Sequence, residues 1–167
     1  MTNDTESDPL RLAVDAAAAF FLAIDARQWE SAARCVDPDA AERFRDVTLR
    51  ALSAAAGVST LGNLAGLTPT QFVARSLEYR DAQWNDRNAP AAGPTRDVLG
   101  ATTEGESYVQ VLYRPNEWDG GKAGPVPVLV LRMRHRDGQW LVDLEHTDHA
   151  LVSPMIDDDD TELSSRA

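Results

Sequence analysis

Between Val126 and His146 the chain reads as two strands joined at Asp137-Gly138, and no other stretch constrains the fold as tightly. Asp-Gly between two apolar runs is the strongest short-range hairpin signal, because a type I′ turn needs positive φ at both central residues. With those two residues as the loop, Arg136 faces Gln139, His135 faces Trp140, Met133 faces Val142, Leu131 faces Leu144 and Leu129 faces His146. Side chains alternate across a strand, so the last four pairs share one face, apolar apart from its two histidines. The other face sets Arg134 against Leu141, Arg132 against Asp143 and Val130 against Glu145. Arg132 and Asp143 make a favourable cross-strand charge pair. A one-residue slip would bury the charges, which fixes the register. Val128, Val130 and Leu141 make this second face amphipathic, and a homodimer through it is expected.

The preceding chain supplies helices. Asp8-Pro9 gives an N-cap and a first-turn proline. Leu10, Val14, Ala17, Phe21 and Ile24 follow at helical spacing to about Asp25. Asp25 is expected to cap a second short helix, on which Trp29, Ala32, Ala33 and Val36 share a face. Asp37-Pro38 stops that helix and caps the next, whose stripe is Phe44, Val47, Ala51 and Leu52. Residues 57–67 form a loop, part of it coiled as a short helical turn. Thr68-Pro69-Thr70-Gln71 is a capping box opening a helix to about Trp84. Residues 85–95 read as a linker.

From Arg96 the period becomes two. Val98–Thr103 and Glu106–Arg114 read as strands around Glu104-Gly105, with Val98 expected opposite Val111, Gly100 opposite Val109 and Arg96 opposite Tyr113. Pro115–Pro125 is a long connection carrying Trp118. Helices followed by two hairpins imply an α+β fold, with the N-terminal helices packed on a curved four-stranded antiparallel sheet.

Composition narrows the function. The 167 residues fit one domain, taken as 8–152 between a tail at 1–7 and an acidic disordered tail at 153–167. A formal charge of −11 argues against nucleic acid or an anionic membrane as a partner. No apolar run approaches the ~18 residues of a membrane helix. Met1–Asp8 has no basic stretch ahead of an apolar one, so no secretory signal is read and the cytoplasm is the expected compartment. Cys35 is the only cysteine, which excludes an intramolecular disulfide.

The phrase Ala23-Ile24-Asp25-Ala26-Arg27-Gln28-Trp29-Glu30-Ser31-Ala32-Ala33, then Asp37-Pro38, then the closing strand Asp137-Gly138-Gln139-Trp140-Leu141-Val142-Asp143, resembles the nuclear transport factor 2-like superfamily. The resemblance covers about residues 8–147. It implies the cystatin-like, cone-shaped α+β fold, in which a curved sheet wraps helices around a pocket. Members resembling it include isomerases, dehydratases, cyclases and epoxide hydrolases, and also binding modules without chemistry. No acid/base set here matches those enzymes, so no catalytic residue is carried over.

A pocket over the apolar face would be lined by Phe21, Trp29, Tyr113, Met133, Trp140 and His146, and would take a small apolar ligand. His146 and His149 flank Asp148, but on a strand end with no further His or Cys cluster, so no metal and no cofactor are expected. The expected function is a non-catalytic small-ligand-binding or protein-interaction module. The alternative is an isomerase, hydrolase or cyclase using His146 as acid or base, a role its near-neutral pKa suits.

Overall fold

The computed structural model describes residues 8–55, 61–85, 96–115 and 128–144. Five helices precede four strands among them: α1 (Pro9–Asp25), α2 (Trp29–Arg34), α3 (Pro38–Ala55), α4 (Leu61–Ala65), α5 (Pro69–Asn85), β1 (Arg96–Glu104), β2 (Tyr108–Pro115), β3 (Leu129–Arg136) and β4 (Gln139–Val142). The fold is α+β, and the strands form one antiparallel sheet in the order β1-β2-β3-β4.

Each helix start has a visible cause. The Asp8 carboxylate accepts from the Leu10 amide at 3.1 Å, and Pro9 sits where an amide hydrogen would have no partner. Asp37 accepts from the amides of Asp39 at 3.0 Å and Ala40 at 3.1 Å, opening α3. Thr68 and Gln71 exchange reciprocal bonds of 3.0 and 3.3 Å, the capping box expected for α5. α1 ends differently: Arg27 adopts φ 55°, and the amides of Arg27 and Gln28 return to the carbonyls of Ile24 and Ala23. That is a Schellman closure with arginine where glycine is usual.

α1 lies on the sheet and touches all four strands, while α2 bridges α1 to α5 and α5 packs on α3. The inner sheet face is Val109, Val111, Tyr113, Leu131, Met133 and Val142, none more than 1 % exposed. Ala13, Ala17, Phe20 and Phe21 of α1 cover it. Alanines let the helix approach closely, and the two phenylalanines fill the space beside them.

Three expectations need correction. Val47 is exposed, and Thr48, buried beside Leu52, takes the inward position on α3. Asp25 does not cap α2, whose N-cap is Gln28; its carboxylate instead meets Arg96 at 3.0 Å. The first hairpin turns on three residues, Gly105 to Ser107, so Glu104 pairs with Tyr108 and Ala101 with Val111. The ladder then shifts between Val98 and Gly100, which puts Val98 opposite Tyr113 and Gly100 opposite Leu112. A three-residue loop with glycine at positive φ and a bulge further on both displace a register that assumes a two-residue turn.

The second hairpin has the expected pairs from Arg136–Gln139 to Met133–Val142. Asp137 and Gly138 have φ 51° and 78°, as a type I′ turn requires. Leu144 lies beyond β4 and is buried. Of the linker expected over residues 85–95, Asn85 ends α5; the rest of it, Trp118, His146, His149 and both tails lie outside the described residues.

Candidate functional site

The inner face gathers three of the residues expected around a pocket. Phe21 stacks obliquely on Tyr113, their ring centroids 4.8 Å apart, and Met133 lies in the same buried cluster. Trp29 and Trp140 are partly buried and pack against its margin. Trp140 also meets His135 across the hairpin at 5.0 Å. Where Phe21 and Tyr113 meet, the Arg96 guanidinium lies over the Phe21 ring at 5.4 Å while paired to Asp25. The pair is largely screened from water, with side chains 18 % and 15 % exposed. It ties the end of α1 to the start of β1 and places charged atoms at this end of the apolar layer.

The outer face is built on different chemistry. Arg132 is held by three partners. Glu104 accepts at 3.0 and 3.2 Å, Asp143 accepts at 3.2 Å, and the Tyr108 ring lies under the guanidinium at 3.9 Å. A planar guanidinium satisfies two carboxylates and a ring at once, which an ammonium does not. Gln110 donates to Glu104 at 3.1 Å and extends the band. Glu104, Gln110, Val130 and Arg132 line an open depression of about 350 Å³. Tyr108, Leu112, Val130 and Leu141 are half-buried on this face, and Val128 beside them is exposed.

No protein-family model matches the chain, and no curated protein or solved structure matches it. Function must be read from these residues.

At the turn end of the outer face a second charge cluster forms. Asp37, fully buried, lies 3.4 Å from both Arg134 and Arg136, and Asp39 lies 2.7 Å from Arg136. The Arg136 hydrogen bond holds the Asp39 carboxyl below its usual range, helped by the charges of Arg134 and Arg43. In return, Asp39 and Asp37 keep Arg136 more firmly protonated. Cys35, which precedes Val36 and Asp37, donates its thiol to the Ser31 carbonyl, and burial pushes its pKa up. A thiol kept protonated is a poor nucleophile.

Sequence reasoning located the Arg132–Asp143 pair and the capping role of Asp37. It missed Glu104 and Tyr108 as partners of Arg132, because the β1–β2 register had to be right for them to converge. It also missed Asp25–Arg96, which no local pattern marks. Among the described residues, no three His, Cys, Asp or Glu side chains group as a metal site, and no helix is long and apolar enough to cross a membrane.

Proposed function

We propose that this chain is a non-catalytic interaction module of the nuclear transport factor 2-like type, and that it associates with a second copy through the outer face of its sheet. The contrast between the two faces carries the reading. On the inner face Phe21, Tyr113 and Met133 are packed together, at most 4 % exposed. A ligand entering there would have to displace core side chains, at a cost of several kcal/mol. The outer face keeps apolar side chains accessible around an open depression.

A mixed face of this kind suits sheet-on-sheet packing, in which side chains of two faces interdigitate. In a two-fold pair the same patch meets itself, so the apolar side chains around Val130 would face their own copies. The charges there are already compensated within the chain, Arg132 by Glu104 and Asp143. Covering compensated charges costs far less than covering lone ones. Support for the superfamily is coarser: helices precede an antiparallel four-stranded sheet, and the Asp137-Gly138 hairpin closes it.

Light scattering at micromolar concentration is expected to give the mass of a dimer. Val130→Asp places an unpaired carboxylate on the patch and is expected to return the mass to that of a monomer with an unchanged circular dichroism spectrum. A wild-type chain that stays monomeric, or a dimer indifferent to Val130→Asp, removes the reading.

A further inference from the structure

The two edges of the sheet are guarded in different ways. β1 carries the bulge between Val98 and Gly100, and bulged edges resist pairing with another chain. β4 has four residues and a regular ladder, and its far edge is covered by the connector between α2 and α3. Val36 makes one parallel bridge to Val142. Around it the Val142 amide donates to the Cys35 carbonyl at 2.8 Å, and the Asp37 amide donates to the Val142 carbonyl at 2.9 Å. Among the described residues the cover is confined to this connector, because Arg34 ends one helix and Pro38 begins the next.

Two backbone bonds are a slight hold on an edge. The Val36 side chain, buried in the core, and the Asp37 carboxylate add to it. Its neighbours Arg134 and Arg136 belong to β3, so the carboxylate reaches past β4 to the strand beyond. It also caps α3, which fixes the direction in which the chain leaves. Removing a charge from such a buried group strands its partners and loosens whatever it ties together.

We propose that the Cys35–Asp37 connector is a charge-held clasp that keeps the β4 edge from pairing with a second copy of this chain, and that it opens while the rest of the sheet stays folded. Asp37→Asn keeps the size of the residue and its capping ability but removes the charge. In the full-length protein, hydrogen exchange at the Val142 and Asp37 amides is expected to accelerate tenfold or more. The ladder amides between β2 and β3 keep their wild-type rates. Sedimentation of the variant shows species larger than wild type at the same concentration. Should Asp37→Asn not fold, Arg136→Met acts on the same contact from its more accessible side and is expected to give the same pattern. Uniform acceleration across the sheet, unchanged exchange at Val142, or local opening with no larger species would each overturn the proposal.

Discussion

Arg27 and Asp137 both sit at positive φ, a region that side chains other than glycine, asparagine and aspartate seldom enter. At Arg27 the conformation closes α1, and the side chain secures the bend through Asp81 on α5 at 3.1 Å. At Asp137 it makes the turn, with Gly138 completing it. A Cβ added at Gly138 would meet nothing within 4 Å, so Gly138→Ala is penalised by its backbone alone. A loss of about 1–2 kcal/mol in urea unfolding is expected, while Asp137→Asn, which also suits this turn, stays near neutral. A titration checks another residue. Arg136 holds Asp39 below the ordinary 3.8. A carboxylate with a depressed folded pKa adds stability above its unfolded value and loses it as pH falls through the folded one. The Asp39–Arg136 contact is therefore complete at neutral pH and weakens only in acid below 3.8. The side-chain carboxyl resonance of Asp39 should show a midpoint below that value, and Arg136→Met should bring it back up.

Elements whose boundaries rest on neighbouring residues are legible in the sequence. The Thr68–Gln71 box is one, and Thr68→Ala is expected to lower stability by about 1 kcal/mol by leaving the Gln71 amide unpaired, with Thr68→Gly costing only a few tenths. Chemical denaturation of the two variants side by side checks this. The second hairpin was legible for the same reason, since Asp-Gly fixes both turn and register. The first hairpin was not. Its period of two named the strands correctly, but alternation is blind to an added residue, and both the three-residue loop and the bulge add one. α3 shows a related limit. Helical spacing nominated Val47, but the inward direction on a helix depends on what it packs against. With α5 as neighbour, Thr48 and Leu52 are buried and Val47 is exposed.

Across the whole molecule, the inner sheet face forms the core, and the outer face is the proposed contact surface. The inner face was legible as the apolar side of the sheet, because along β2 and β3 its residues alternate largely with polar ones. What stands around it was not, since Asp25 and Arg96 lie 71 positions apart and converge only after α1 has been laid across the sheet. Adjacent residues of β3 test the division directly. Leu131 points into the core and Val130 into the outer depression. Leu131→Ala removes buried methyl groups from a close-packed layer and is expected to cost 2–5 kcal/mol by thermal or chemical unfolding, with the mass of the remaining folded protein unchanged. Val130→Asp is expected to alter unfolding of the monomer far less while abolishing the dimer. Substitutions on opposite sides of one strand share backbone context and differ only in the surface they reach. If the two effects were exchanged, with Val130→Asp unfolding the chain and Leu131→Ala changing its mass, the assignment of core and contact surface would be inverted.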